Sequence, residues 1–192
     1  MFETLENIDH SILLKINGCH SPAADDFFWM VSAGWIFFPL WIFLAIYIFK
    51  IKKLKFLLTC IFCIALCILF CDQSSNLIKD SVKRYRPTHN FDLKDKIHSV
   101  NDYKGGKFGF FSGHSANTFG AAMFLFLCLD WVNKKYRLSI FIWPVIVGYS
   151  RIYLGVHYPS DVFFGAIDGI LFGFMFYKVF MFLLNKFNIQ NA

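Results

Sequence analysis

Charge is scarce in this sequence, and acidic charge scarcer still. Lys and Arg number 19 against 13 Asp and Glu, charged residues make up 17% of the 192, and hydrophobic residues make up 57%. So few polar side chains cannot clothe a water-soluble globule of this length, which excludes an ordinary soluble fold and makes a bilayer the natural solvent. Glycine patterns of the Rossmann and Walker kinds are missing, so the usual nucleotide cradles are excluded as well. No basic stretch opens the chain: Glu3, Glu6 and Asp9 stand where a cleaved secretion signal carries positive charge, and the apolar run starts too late. Residues 1–26 are instead expected to form a partly amphipathic segment at the membrane interface. Six cysteines are present. Cys60, Cys63, Cys67 and Cys71 recur at helical spacing, but one helix face spreads them over roughly 16 Å, too far for one tetrahedral ion. They read as small packing residues, Cys19 and Cys128 imply no disulfide framework, and no metal site is expected.

What is abundant is apolar length. Residues 27–49 contain no charge, and at about 1.5 Å per residue they cross a hydrocarbon core of roughly 30 Å. Four further runs follow at 56–71, 116–129, 138–149 and 162–184. All but the last reach spanning length only if the polar residues at their ends count as helix. Polar groups at membrane depth are costly unless they face protein or water, so these ends should line one shared cavity. The expected fold is an all-α polytopic membrane helix bundle: a single domain over 1–192, five transmembrane helices or six, and an N-terminal interfacial helix.

Lys50, Lys52, Lys53 and Lys55 follow the first run, and Lys134, Lys135 and Arg137 follow the third. The positive-inside rule places both connections in the cytoplasm. Residues 80–111 then lie outside, although they and their edges hold Lys79, Lys83, Arg84, Arg86, Lys94, Lys96, Lys104 and Lys107. So much positive charge on the outer side needs a reason, and the spacing of the residues supplies one.

Lys79 and Arg86-Pro87 stand at the exit of the second run, where an Arg fork and a Lys point charge can clamp one phosphate. Ser112, Gly113 and His114 open the third run, at a helix N-terminus whose free N–H groups attract anions. Ser150, Arg151, His157 and Asp161 span the end of the fourth run and the turn into the fifth. Pro159 is expected to end the fourth helix at about Tyr158, leaving His157 on the turn and Arg151 about 9 Å lower. Asp161 can accept a hydrogen bond from one ring nitrogen of His157 and free the other as a nucleophile. Asp72 and Asn76 recur with Lys79 at near-helical spacing and either order that lysine or pack helices. Asp168 reads as a buried hydrogen-bond partner, and His10, His20, His89 and His98 as surface residues.

These clusters, in order, resemble the three signatures of the type 2 phosphatidic acid phosphatase superfamily, K-x6-RP, PSGH and SR-x5-H-x3-D. The match falls on Lys79, Arg86 and Pro87, then Ser112, Gly113 and His114, then Ser150, Arg151, His157 and Asp161, with Phe111 where the family has proline. The resemblance implies that His157 attacks phosphorus, that Asp161 orients it and that His114 protonates the leaving oxygen. It also implies that Lys79, Arg86, Ser112, Gly113 and Arg151 hold the phosphoryl oxygens. Water would then hydrolyse a phosphohistidine, with no cofactor and no metal. The implied enzyme is an integral membrane phosphatase of the bacterial inner membrane, with its site facing the periplasm or outside. Its substrate would be a lipid-linked mono- or diphosphate: undecaprenyl diphosphate, phosphatidylglycerol phosphate, phosphatidate or a phosphate of lipid A. Membrane lipids are the expected surroundings, and no nucleic-acid partner is expected. A lipid phosphotransferase, a vanadate-dependent haloperoxidase-like activity and a noncatalytic carrier are the competing readings. Complete retention of both histidines and Asp161 argues against the last, because binding alone needs no nucleophile.

Overall fold

The computed structural model describes residues 2–189, and among them the regular structure is helical, with one isolated antiparallel bridge between Tyr85 and Phe108. Helix α1 (Phe2–Gly18) buries Asp9, Leu13 and Asn17, one per turn on a single face. Helix α2 (Pro22–Ala33) starts with Pro22 in its first turn, and Ser21 caps it by accepting from the Ala24 N–H at 3.3 Å.

The uninterrupted helix expected over 27–49 does not form. Gly34 takes a left-handed conformation (φ 79°) and its N–H returns to the Val31 carbonyl, closing α2. A 3₁₀ turn at Trp35–Phe37 follows, and Pro39 sits in the first turn of α3 (Phe38–Val82). The chain reverses inside α3 at Lys53 (φ 67°, ψ 176°). Trp41, Leu44 and Ile48 from limb 38–52 then share one apolar cavity with Leu57, Cys60 and Ile64 from limb 54–82. Lys52, at the reversal, lies over the Trp131 ring at 4.8 Å.

Helices α4 (Gly113–Cys128), α5 (Lys134–Leu138), α6 (Ile142–Tyr153) and α7 (Pro159–Lys186) complete the bundle. By length and composition, the stretches Trp35–Val82 and Pro159–Lys186 are long and apolar enough to cross a membrane. At 16 and 12 residues, α4 and α6 fall short of about 20, because one end of each opens into the polar site rather than continuing as apolar helix.

Small residues set how close the central helices come. A Cβ placed on Gly165, Gly169 or Gly173 of α7 would lie 2.5, 2.2 and 2.4 Å from the carbonyl oxygens of Ser112, Ala116 and Gly120 of α4. Backbone touches backbone along this seam, the contact that small residues at four-residue spacing permit. Cys67 and Cys71 press on Gly120 from α3, where a Cβ would meet their sulfurs at 3.0 and 3.3 Å. Cys60, Cys63, Cys67 and Cys71 are all buried in this core, the packing role expected of them. Asp168 sits on α7 two turns below Asp161 and accepts from Ser74 Oγ at 2.9 Å, tying α7 to α3.

Candidate active site

Five of the eight residues singled out in the sequence converge on one cavity of about 410 Å³. Its lining is Lys79 from α3, Arg86 from the following loop, Gly113 and His114 from the start of α4, and His157 from the α6–α7 turn, together with Asp72, Asn117 and Thr118. Two cations, a helix N-terminus and two imidazoles therefore face a common space, a constellation suited to an anion with a reacting centre.

Each element is placed by local chemistry. Lys79 Nζ donates to Ser75 Oγ at 2.6 Å, one turn back on the same helix face, and Ser75 Oγ in turn donates to the Phe111 carbonyl at 3.3 Å. Ser75, rather than Asn76, is thus the residue bonded to the lysine. Asp72 lines the cavity and accepts from Asn117 Nδ2 at 2.8 Å. Arg86 is fixed by Nε donating to the Phe108 carbonyl at 3.1 Å, and its side chain runs close over Gly105 and Gly109.

Gly155 (φ 69°) decides where His157 stands. Helix α6 ends at Tyr153, earlier than the end near Tyr158 that Pro159 suggested. The Gly155 N–H bonds the Ile152 carbonyl at 2.9 Å and the Val156 N–H the Arg151 carbonyl at 3.2 Å, a double closure that a left-handed glycine makes possible. Tyr158 then caps α7 in extended conformation, its N–H donating to Asp161 Oδ2 at 2.9 Å. Asp161 Oδ2 lies 3.5 Å from His157 Nδ1, in ion-pair range and longer than the hydrogen bond expected between them. Burial, followed by the positive charges of Arg86, Arg151 and Lys79, holds the His157 imidazole well below the ordinary histidine value of 6.5, against a smaller opposing contribution from the Gly109 backbone. The ring is neutral at physiological pH, with its lone pair available.

Three of the expected residues stand behind the lining rather than in it. Ser112 is buried and its hydroxyl caps α4 by accepting from the Ser115 N–H at 3.4 Å, while its own N–H donates to the Asp161 carbonyl at 2.9 Å. The serine hydroxyl is therefore committed to the helix end, and Gly113 and His114 meet the cavity in its place. Arg151 is buried, with Nη1 donating to Ser32 Oγ and Nη2 to the Tyr103 hydroxyl at 3.2 Å, and its Nε has no partner among the described residues. Asp161 is fully buried and receives Arg84 Nη1 at 2.9 Å.

Ser32, Tyr103, Ser75, Arg84 and Asp9 were not found from sequence. Ser75 carried a signal, four residues before Lys79. The others lie 48 to 119 residues from the groups they contact, where no spacing rule reaches. His98 departs from the surface role expected of it: Nε2 pairs with Asp25 Oδ2 at 2.9 Å and its backbone is held by Asn17, fastening loop 83–112 to α1 and α2.

The family model described as the PAP2 superfamily matches residues 56–184. A "Lipid A 4'-phosphatase" of Bacteroides thetaiotaomicron is 40% identical over 183 residues, covering 93% of this chain and 80% of the relative. A second "Lipid A 4'-phosphatase", of Porphyromonas gingivalis, is 34% identical over 185 residues, covering 96% of this chain and 78% of the relative. Among solved structures, Aquifex aeolicus LpxE superposes with a TM-score of 0.63 at 27% identity, covering 88% of this chain and 93% of that one.

Proposed function

This chain belongs to the PAP2 superfamily, and from that membership we propose that it is a membrane lipid phosphatase that removes a phosphate monoester from lipid A at the outer face of a bacterial inner membrane. The observation that carries the reading is the cavity shared by Lys79, Arg86, Gly113, His114 and His157. Two relatives with lipid A 4'-phosphatase names, each more than three-quarters covered, support lipid A over the other lipid phosphates.

In the proposed reaction the cavity-facing nitrogen of His157 attacks phosphorus in line, the phosphorus–oxygen ester bond breaks, and His114 delivers to the leaving oxygen a proton that the substrate phosphate's negative charge holds on the ring against the cations around it. The lipid alcohol departs and a phosphohistidine remains. His114, now neutral, takes a proton from water, whose oxygen attacks phosphorus. The phosphorus–nitrogen bond breaks, releasing inorganic phosphate and restoring His157. Lys79, Arg86 and the N–H groups at the start of α4 face the phosphoryl oxygens and stabilise their charge by position alone. Arg151 adds positive charge from behind, and Ser112 holds the α4 terminus in place. Such a clamp works without a metal ion.

The topology that serves this chemistry has five crossings: limbs 38–52 and 54–82, then α4, α6 and α7, within one domain over 1–192. Helix α1 lies on the interface and loop 83–112 lies outside. The basic turn at Lys53 and the Lys134–Leu138 segment are then cytoplasmic, as their lysines require.

The test is phosphate release in detergent micelles from a panel of lipid A 4'-phosphate, lipid A 1-phosphate, phosphatidylglycerol phosphate, phosphatidate and undecaprenyl diphosphate. His114→Ala and His157→Ala serve as controls. Preference for a lipid A monoester, lost in both variants, is the expected result. Wild-type rates in His157→Ala would sink the mechanism, and preference for another substrate would sink the lipid A assignment. Product analysis with an added alcohol separates hydrolysis from transfer.

A further inference from the structure

A second ionic assembly stands directly behind the nucleophile. Arg84 lies within the six-residue gap between Lys79 and Arg86, and its guanidinium bridges two carboxylates. Nη1 donates to Asp161 Oδ1 at 2.9 Å and to Ser160 Oγ at 2.7 Å, and Nη2 donates to Asp9 Oδ2 at 2.7 Å. Asp9, on α1, also accepts from the Ser160 N–H at 2.9 Å and from the Ser160 hydroxyl. The Arg84 plane covers the Tyr158 ring at 4.0 Å, and His10 of α1 stacks on the same ring at 5.4 Å. Asp9 is 5% exposed and Asp161 0%.

Such burial is informative. A carboxylate taken fully out of water persists as a charge only if a cation and several donors compensate it. Asp161 has two fixed donors, Arg84 and the Tyr158 N–H, one on each oxygen, and the His157 ring lies beside the second oxygen. Arg84 itself needs an anchor, and Asp9 supplies it from the far side, so the carboxylate that faces the nucleophile is aimed through a chain that begins on α1.

We propose that Arg84 and Asp9 are positioning residues for catalysis, aiming Asp161 at His157 and keeping it ionised, and that α1 is thereby part of the catalytic assembly as well as an interfacial segment. The inference rests on the reading of His157 as nucleophile. Asp161 faces His157 and Tyr158 from its own end, Arg84 and Arg86 from the outer loop, Lys79 from α3 and, through Arg84, Asp9 from α1. Of the cations among these, Arg84 alone bonds Asp161 directly among the described residues, so its loss raises the proton affinity of the neighbouring Asp161 and His157 together and moves the acid limb of activity to higher pH.

The test uses the full-length protein in detergent, with lipid A 4'-phosphate as substrate. Variants are Arg84→Gln, Arg84→Lys and Asp9→Asn, with His157→Ala as the control. For Arg84→Gln the expected result is a fall in kcat of roughly 10- to 100-fold, the range seen when a supporting partner behind a reacting group is removed. KM should stay within about twofold, because substrate is not touched, and the acid limb should shift upward. Arg84→Lys should recover part of kcat, and Asp9→Asn should lose less than Arg84→Gln while moving kcat in the same direction. A purely structural role would lower the melting temperature and leave kcat per folded molecule and the acid limb unchanged, which overturns the proposal. If Arg84→Gln does not fold, Asp9→Asn decides on the same two readouts. If His157→Ala is inactive while Arg84→Gln and Asp9→Asn match the wild type, the inference fails and the nucleophile reading stands. If His157→Ala is active, both fall.

Discussion

Gly169→Ala should weaken the site from two helical turns below it. A Cβ at position 169 lies 2.2 Å from the Ala116 carbonyl oxygen and 2.8 Å from the Gly120 nitrogen. Ordinary contact begins at 3.4 Å, so the nearer atom is 1.2 Å too close. Both obstructing atoms are backbone, so no side chain can rotate away and α4 and α7 themselves must part. Overpacking of this kind costs about 1–3 kcal/mol, which at 2–4 °C per kcal/mol lowers melting by roughly 2–12 °C for a chain of this size. The displacement passes straight into the site, because Ala116 is two residues beyond His114 and α7 carries Asp161 at its start. A misplacement of about 1 Å is worth roughly a 10²-fold loss in rate. Thermal unfolding in detergent and phosphate release from lipid A 4'-phosphate read the two effects, with Gly106→Ala as the control because nothing lies within 4 Å of its Cβ. Wild-type melting and rate in Gly169→Ala would refute backbone contact between the helices.

The pH profile follows from the charges around His157. Protonation removes the attacking lone pair, and a ring held below 6.5 stays neutral as pH falls through that value, so the acid limb of kcat/KM assigned to it lies below pH 6.5. Lys79→Gln removes one repelling cation and should move that limb up toward 6.5; a wild-type limb above 6.5 refutes the reading. Ser75→Ala takes away the acceptor that steers Lys79 Nζ, and at about 1 kcal/mol per hydrogen bond KM should rise roughly 3- to 10-fold. An unchanged KM would show that the lysine finds the phosphate without help.

Much of this protein is decided by spacing along the chain. Local geometry relates the residues within each motif, the resemblance to the three phosphatase signatures gathered Lys79, Arg86, Gly113, His114 and His157 into one expected site, and the cavity brings all five together. The same logic recognised Asp168 as a hydrogen-bond partner, half-buried rather than buried, and the cysteine stripe as packing. Local signals that went unused account for the misplaced boundaries: Gly34 with Pro39 broke the first apolar run, and Gly155 ended α6 early and set His157 on its turn. The groups behind the site were illegible for a different reason. Asp9, Ser32 and Tyr103 reach Arg84 and Arg151 only because α1, α2 and loop 83–112 fold back over the bundle, and hydrogen bonds between such distant segments leave no periodicity to read. Sequence by itself named groups that line the cavity, since the chemistry of an anion site constrains which residue types suit it. Tertiary structure alone decided what stands behind them, since a buried carboxylate accepts whichever cation the packing brings within 3 Å.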